Sequence, residues 1–319
     1  MRIGLLVFLS ILTAACSFKS EAQTGSPGGI QLGSWGFIDR AGKLTINAQY
    51  VSTLGFSEGL AAVHVNYYEF DGAAGWGYID AKGKFVIPAQ FDWAGSFSEG
   101  VAPVRIRGKW TFIDRSGKRV FETSFDEAMP FSQGLAAVRV SGRWGFIDKT
   151  GKFSIPPMFD SALAFSDDLA PVRIGDKWGY IDRSGTVVIE PRFDFALGFS
   201  EKLAPVEISK KWGFIDANGK VVIPLAYYAC GGFSDGLAPV MFDQNVWKYI
   251  DKNGKIAINN QFYFVGKFSQ GLAMVGIKTM WGTSKLGYID RTGKLVISLS
   301  GFKGGREFSD GLAPVELMP

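Results

Sequence analysis

The sequence predicts an all-β fold, an eight-unit repeat array of three-stranded antiparallel sheets. An Ile-Asp pair recurs about every 34 residues, a period typical of repeat proteins. A Phe-Ser pair recurs equally often, and Gly-Lys turns and Val-Ile runs inside each unit would break the helices of a helical array. The aspartates of the first pair are Asp39, Asp80, Asp114, Asp148, Asp182, Asp216, Asp251 and Asp290. The phenylalanines of the second are Phe56, Phe97, Phe131, Phe165, Phe199, Phe233, Phe268 and Phe308.

The N-terminus has the layout of a secretory signal. A positive charge at Arg2 precedes an apolar run from Ile3 to Leu12, which is too short to span a bilayer, and small residues follow it. Residues 1–15 are therefore predicted to be a signal peptide and are excluded from the fold.

Leu12 to Cys16, in letters LTAAC, resembles the lipobox of bacterial lipoproteins, in which the cysteine becomes the lipidated first residue. Thr13 departs from the lipobox, which prefers an aliphatic residue there. The resemblance implies attachment to a membrane of the cell envelope through lipid on Cys16. Because Ser17 rather than Asp follows, the outer membrane is expected if the organism is Gram-negative. Ordinary signal cleavage, which would give a secreted or periplasmic protein, is the alternative. Residues 16–34 are predicted to be a lipidated cysteine followed by a polar, Gly-rich tether.

One regular unit, LAPVRIGDKWGYIDRSGTVVIEP, shows the predicted strands. Strand A is Leu169 to Ile174, strand B is Lys177 to Asp182 and strand C is Thr186 to Ile189. A short polar connection joins A to B, as in a hairpin. Between B and C, the Asp of Asp-x-x-Gly is expected to cap a turn whose Gly takes the left-handed conformation. After strand C, a compact connection leads through the Phe-Ser pair, whose serine is expected to bond its own turn.

The tryptophan segment of strand B is predicted to be packed on both faces. Trp178 and Tyr180 alternate with Gly179 and Ile181, so that two aromatic rings lie on one face and Ile on the other. The glycine beside the tryptophan is expected to admit a close neighbouring backbone or ring.

The motif W-G-[FY]-I-D-x-x-G-K, with F-S-x-G-L-A-x-V downstream, is similar to that of the WG-repeat family, also called KWG repeats. It covers residues 35 to 316, so residues 35–319 are predicted to form a single domain of eight units. Thr111 and Lys248 replace the expected glycine and Leu286 the expected tryptophan, and these units are expected to pack less closely. The resemblance implies a bacterial repeat module, mostly of a kind without assigned activity.

A closed, propeller-like ring is favoured over an open superhelical array. The last copy of strand A is Leu312 to Leu317, whereas no such segment precedes Trp35, so the domain begins with a strand B and ends with a strand A. In a ring these two strands would pair, as in β-propellers, whereas an open array would leave both as unpaired edges. In the ring the two longest A-to-B connections, after His64 and after Gly276, would flank the seam.

Composition argues against an enzyme. His64 is the only histidine, which excludes a histidine-based metal cluster and a Ser-His-Asp relay. The recurring aspartates are explained by turn capping, and no cofactor is expected. A net charge of +4 is too small for a dedicated nucleic-acid binder. Cys230 stands where other units have Ala and is interpreted as a buried structural thiol.

The candidate binding residues lie in strand A and in the two long connections. A column at the end of strand A contains His64, Arg105, Arg139 and Arg173, which is either a solvated strand face or a docking stripe for an anionic partner. The connections carry Tyr67, Tyr68, Phe70, Met280 and Trp281, a composition typical of interface hot spots, although packing over the seam would also explain them.

The sequence thus favours a noncatalytic binding scaffold of the bacterial cell envelope with an unidentified envelope protein as partner. The alternative is a carbohydrate or peptidoglycan binding module, because aromatic loops can stack on the sugars of a cell-wall glycan. No nucleic-acid partner is expected.

Overall fold

The computed structural model describes residues 34–65, 75–243, 246–278 and 284–318. These residues form β-strands β1 to β31 and contain no helix. The strands make eight antiparallel sheets arranged in a ring, an eight-bladed β-propeller. The predicted closed ring is confirmed.

The blades are numbered from the first complete hairpin. Blade 1 contains β3 (Ser52–Ser57), β4 (Leu60–Val65), β5 (Gly75–Ile79) and β6 (Phe85–Phe91). Blade 2 contains β7 (Trp93–Ala94), β8 (Val101–Ile106) and β9 (Lys109–Asp114). Blade 3 contains β10 (Glu127–Ala128), β11 (Ala136–Val140), β12 (Arg143–Ile147) and β13 (Phe153–Phe159). Blade 4 contains β14 (Ser161–Ala162), β15 (Ala170–Ile174), β16 (Lys177–Ile181) and β17 (Val187–Phe193).

The remaining blades follow the same order. Blade 5 contains β18 (Phe195–Ala196), β19 (Ala204–Ile208), β20 (Lys211–Ile215) and β21 (Val221–Tyr227). Blade 6 contains β22 (Ala229–Cys230), β23 (Ala238–Asp243), β24 (Val246–Ile250) and β25 (Ile256–Phe262). Blade 7 contains β26 (Phe264–Val265), β27 (Ala273–Lys278), β28 (Ser284–Ile289) and β29 (Leu295–Ser298). Blade 8 contains β30 (Phe302–Gly305), β31 (Leu312–Leu317), β1 (Trp35–Asp39) and β2 (Leu44–Tyr50).

The predicted three strands per unit, A, B and C, were wrong: seven blades have four strands, and the three strands of blade 2 include an additional strand, β7, but no continuous strand C. In blade 4 the predicted strands A, B and C are β15, β16 and β17, and the additional strand β14 pairs with β15 through Ser161 and Ala162. This strand is only two residues long, too short to show an alternating pattern in the sequence. It belongs to the segment that the sequence assigned to a connection.

The additional strand lies nearest the ring axis and strand C lies outermost. Residues from or next to these first strands in blades 1, 2, 3, 7 and 8 line one common cavity, which is possible only around the axis. Strand C, by contrast, alternates exposed and buried side chains, and in β17 it contains Pro191. Proline is tolerated there because an outer strand has one side without a hydrogen-bonding neighbour.

The predicted turn between strands B and C is confirmed in all eight copies. In blade 4, Asp182 Oδ1 accepts hydrogen bonds from the backbone N–H groups of Ser184 at 2.9 Å and Thr186 at 3.0 Å. Gly185 is left-handed, with φ of +87°. The corresponding bonds form in the other seven turns.

The glycine after the tryptophan allows a close approach of backbone. A Cβ on Gly179 would lie 2.4 Å from the carbonyl oxygen of Ile189. Thr111 has such a Cβ, and strand C of blade 2 is reduced to isolated pairs of Trp110 with Phe125 and Ile113 with Arg119. This unit keeps strand B, as β9, but loses the continuous pairing of strand C.

The other two departures behave differently. At Lys248, strand β24 keeps the same pairing with β25 that regular units show, so the expected loosening is not seen in the strand register. Leu286, in place of tryptophan, borders a cavity of 380 Å³ beside Ser298 and Phe302.

Neighbouring blades are joined by buried aromatic pairs. Tyr78 of blade 1 lies 4.8 Å, centroid to centroid, from Phe97 of blade 2, and both rings are fully buried. The Tyr78 hydroxyl also donates a hydrogen bond to the carbonyl oxygen of Gly95 at 2.8 Å. An equivalent ring pair, at 4.8 to 5.0 Å, lies at each of the other seven junctions. Each sheet therefore buries its aromatic flank only against the next sheet.

The two ends of the domain close the ring within blade 8. Strand β1 pairs with β31 from Trp35 opposite Glu316 to Asp39 opposite Leu312. Blades 7 and 1, whose hairpins contain the two long connections, lie on either side of this seam, as predicted.

Candidate functional site

The two ends of the ring are formed by different connections. Because strands alternate in direction, the Phe-Ser loops and the Asp-x-x-Gly turns lie on one side, here called the turn face. The A-to-B connections lie on the opposite side, here called the hairpin face. In blade 4 the turn face contains Ser166–Leu169 and Asp182–Gly185, and the hairpin face contains Gly175–Asp176.

The polar side chains at the Phe-Ser loops of the turn face hold the ring together. Glu99 accepts a hydrogen bond from the backbone N–H of Gly134 in the next blade at 3.0 Å, and Gln133 accepts one from the N–H of Asp168 at 3.1 Å. All eight blade junctions have such a bond. The acceptors are Glu58, Glu99, Gln133, Asp167, Glu201, Asp235, Gln270 and Asp310. Each of them is left-handed, with φ between 47° and 55°.

The serines of the Phe-Ser pairs also bridge blades. The Ser132 hydroxyl donates to the carbonyl oxygen of Phe165 at 2.6 Å, and Ser309 donates to that of Phe56 across the seam. Four further serines make the same bond: Ser57, Ser200, Ser234 and Ser269. The predicted local turn bond was therefore wrong for these six serines, because the next blade brings a carbonyl oxygen closer than the serine's own turn does.

The hairpin face carries the described part of the predicted binding column. His64, Arg105, Arg139 and Arg173 lie in β4, β8, β11 and β15, each opposite the tryptophan of its blade. Blades 1 to 4 are consecutive, so these four residues occupy equivalent positions along an arc of the ring. We call them the basic arc.

The four residues of the basic arc differ in exposure, in ion pairing and in charge, and therefore in how well each could contact a charged partner. Arg105 is exposed. Arg139 forms an ion pair with Glu127 at 2.5 Å, and Arg173 donates to the carbonyl oxygen of Gly175 at 3.4 Å. His64 is half-buried, with its ring 5.4 Å from that of Trp76. Burial lowers the pKa of His64 below its ordinary value of 6.5, so the imidazole is neutral at pH 7.

Trp93 is a part of this surface that the sequence interpretation missed. Its ring lies 4.6 Å from that of Trp76, and its backbone pairs with Arg105. His64, Trp76, Trp93 and Arg105 therefore form a continuous row across blades 1 and 2. A signal was present, because Trp93 and Trp281 are the tryptophans outside the repeated strand B position. Of these two, the predicted binding residues include only Trp281.

The remaining predicted site residues, Cys16, Tyr67, Tyr68, Phe70, Met280 and Trp281, lie outside the described residues. The strands that lead into the long connections are β4 and β5 in blade 1 and β27 and β28 in blade 7.

Within the described ranges, no three His, Cys, Asp or Glu side chains group closely enough to hold a metal ion. Cys230 is buried as predicted, and burial raises the pKa of its thiol well above 9.0, so it is not an activated nucleophile. The part of the chain that the structure describes contains no helix with the length and apolarity to cross a membrane.

The strand register and turn geometry agree with a sequence comparison. The profile of the WG containing repeat matches residues 35–68, 76–110, 110–144, 144–178, 178–212, 212–245, 247–278 and 287–317. The chain belongs to the WG-repeat family. Each WG repeat starts in strand B of one blade and extends through strand A of the next, in four cases up to the tryptophan of the following strand B, so the repeat and the blade are offset. No curated protein matches this WG-repeat chain in sequence.

Solved structures share the propeller fold with this WG-repeat protein at low sequence identity. A eukaryotic initiation factor is 13% identical, with a TM-score of 0.55 and coverage of 81% of each chain. BamB from Moraxella catarrhalis is 12% identical, with a TM-score of 0.45 and coverage of 88% of this chain and 96% of its own. A puromycin hydrolase is 11% identical, with a TM-score of 0.46 and coverage of 77% and 53%. The likeness to the initiation factor concerns the fold alone, and the other two are too distant to support an argument.

Proposed function

We propose that this protein is a noncatalytic scaffold of the bacterial cell envelope that docks a protein partner on its hairpin face. An eight-bladed propeller of WG repeats suggests an interaction scaffold in general. We assign docking to the hairpin face because of the basic arc. Its residues His64, Arg105, Arg139 and Arg173 lie at equivalent positions in four consecutive blades.

The contrast between the two faces supports this choice. On the turn face, the side chains of the Phe-Ser loops accept hydrogen bonds from the next blade at every junction. On the hairpin face, Arg105 is exposed beside the partly exposed ring of Trp93. Arginine and tryptophan are the residues most enriched in interface hot spots, so a partner with an acidic surface fits this face.

The first experiment compares capture of envelope proteins by matched variants. The variant Arg105→Glu/Arg173→Glu reverses two charges of the basic arc. The control Arg40→Glu/Lys82→Glu makes the same charge change at exposed positions of the turn face. A captured protein is then purified and its affinity measured by calorimetry. We expect the arc variant to lose at least about tenfold in affinity, or about 1.4 kcal/mol, and the control to keep it. Equal affinity of wild type and arc variant would contradict the proposal.

A carbohydrate or peptidoglycan ligand is the second candidate, favoured by one observation. Trp93 places a partly exposed ring on the hairpin face, packed against the buried ring of Trp76, and an exposed aromatic ring can stack on sugars. Trp93→Ser tests this, because serine stands at the same position in β3 and β14. Sedimentation with purified peptidoglycan that is lost in this variant would support a glycan ligand. Absence of sedimentation by the wild-type protein would exclude peptidoglycan.

The envelope location rests on the N-terminal resemblance to a lipobox and is part of the proposal. Metabolic labelling with palmitate should mark the wild-type protein but not a Cys16→Ala variant. An unlabelled wild-type protein released to the medium or periplasm would instead support ordinary signal cleavage.

A further inference from the structure

A cavity of 480 Å³ lies at the axis of the ring, and its walls carry few charges. It is lined by residues of blades 1, 2, 3, 7 and 8, among them the rings of Phe56, Trp93 and Trp110. Volumes of this size are typical of small-molecule sites, which combine apolar walls with a few polar groups. The cavity shares no residue with the basic arc, although Trp93, which borders the arc, also lines the cavity.

Arg306 is the exception in an otherwise uncharged set of equivalent positions. The backbone N–H of Arg306 bonds to Pro314, just as the N–H of Leu163 bonds to Pro171 and that of Leu197 to Pro205. The corresponding residues in the other blades are Leu54, Gly95, Met129, Gly231 and Gly266. A guanidinium therefore stands where the fold accepts leucine, so the charge is not needed for folding.

The Arg306 side chain is only partly compensated. Its Cζ lies 5.0 Å from the centroid of the Trp35 ring. Its Nε is buried and has no hydrogen-bond partner among the described residues. Burial lowers the pKa of the guanidinium, against the opposing influence of Glu307 and Glu316. A buried donor without a partner costs free energy, which indicates that the arginine is kept for a reason other than folding.

The charges around the cavity set the kind of anion. Among the lining residues, Lys267, Arg306 and Glu307 carry the ionisable side chains, so the lining has one net positive charge. Lys267 is exposed, which shows that the cavity opens to solvent. A single carboxylate balances this charge and matches the planar guanidinium, whereas Glu307 would repel a second negative group. The aromatic walls favour an apolar body on the same molecule.

We propose that the cavity at the ring axis binds a small monocarboxylate with an apolar body, whose carboxylate pairs with Arg306. This site is independent of the proposed docking on the hairpin face. It assigns a function to a charged residue that the propeller fold itself does not require.

The test measures binding of benzoate and of its neutral counterpart benzamide by calorimetry and ligand-observed NMR. Arg306→Leu installs the residue found at equivalent positions in blades 1, 4 and 5, so folding is expected to persist, which circular dichroism checks. Arg40→Leu is the control, because it removes the same charge at an exposed position outside the cavity. We expect saturable binding of benzoate by the wild type and the control, and at least about tenfold weaker binding by Arg306→Leu and of benzamide.

Two results would overturn the proposal. One is that neither benzoate nor cyclohexanecarboxylate binds the wild-type protein at millimolar concentration. The other is that Arg306→Leu binds benzoate as well as the wild type does. A second variant, Glu307→Gln, keeps the test decisive should Arg306→Leu unfold. Removing the repelling carboxylate should strengthen binding, and weaker binding in this variant would count against the site.

Discussion

Phe37, near the start of the described chain, lies opposite Pro314, near its end, in the antiparallel pair of β1 and β31. Strand β31 lies between β30 and β1, so the two ends of the domain share one sheet. Because every WG repeat also spans two blades, each blade is covalently tied to its neighbours, and blade 8 is completed only when the two ends meet. This arrangement removes the unpaired edges that an open array would have.

Removal of the closing strand should therefore destabilise the whole ring. Deletion of residues 312–319 removes the partner of β1 and two fully buried side chains, Ala313 and Val315. We expect a loss of more than about 4 kcal/mol in the free energy of unfolding, measured by thermal and urea denaturation. Met318→Ala, at an exposed position, is the control and should change it little. A deletion that merely frays the ends, with an unchanged main transition, would contradict this prediction.

At Gly179 of blade 4, an added side chain should be poorly accommodated. In Gly179→Ala the new Cβ would lie 2.4 Å from the carbonyl oxygen of Ile189, a backbone atom held in a sheet. We expect a destabilisation of about 2 to 3 kcal/mol, as for overpacking of a core. Gly175→Ala is the matched comparison, because φ there is +62° and no atom lies within 4 Å of the new Cβ. It should cost only the left-handed backbone penalty of about 1 kcal/mol. Equal losses in the two variants would show that close packing is not the cause.

The carboxylates that join blades should make stability fall in acid. Burial raises the pKa of Glu99, but the Gly134 N–H and Lys149 outweigh it and lower the net value below 4.5. For Glu201, burial is likewise outweighed by Lys252 and the Gly236 N–H. A lowered pKa means that the unfolded chain binds protons more readily. The stabilisation is therefore present above about pH 4.5 and is lost as the pH falls through the lowered values.

Glutamine variants test this pH dependence. Gln133 and Gln270 already occupy the same position in two blades, so Glu99→Gln/Glu201→Gln is expected to fold. At neutral pH it should lose about 1 kcal/mol per site, because partly exposed ion pairs contribute little. Urea denaturation from about pH 7 to about pH 3 should show a shallower decline in the variant than in the wild type. Parallel curves would contradict the assigned role of these carboxylates.

His64 should titrate below the ordinary histidine range. Its ring is half-buried against Trp76, and burial lowers its pKa from 6.5. Since it is the only histidine, its Cε1–H resonance can be followed without assignment of others. We expect a midpoint below 6.5 in the folded protein and near 6.5 in urea. Protonation then opposes folding, so this residue lowers stability as the pH falls below 6.5. A folded midpoint above the unfolded one would indicate an acidic neighbour instead of burial.

The repeat, the turns and the ring closure could be predicted from local residues. Asp182 caps its own turn and Gly185 supplies the left-handed residue, so this geometry depends only on neighbours in the chain. Ring closure could be predicted from the order of strands alone, because an initial strand B and a final strand A each need a partner. The first strand of each blade was missed since β14 owes its conformation to pairing with β15 and not to its own two residues.

The site was predicted less completely than the fold. The column of His64, Arg105, Arg139 and Arg173 was found because equivalent positions in a repeat must occupy equivalent places. Its junction with Trp93 depends on how blade 2 packs against blade 1. Likewise, Arg306 is unremarkable as a residue type, and only the tertiary structure shows that it is partly buried beside the axial cavity.

The sequence by itself thus determined the eight units, their turns and the complementary ends that close the ring. The turns depend on hydrogen bonds within one repeat, and the order of strands leaves the first and last strands each in need of a partner. The tertiary structure decided which polar groups remain available. On the turn face, residues such as Glu99 and Gln133 are engaged by the next blade, whereas on the hairpin face Arg105 stays exposed. The physical reason is that satisfaction of a polar group depends on what lies within hydrogen-bond distance, and the contacts between blades join residues far apart in the chain.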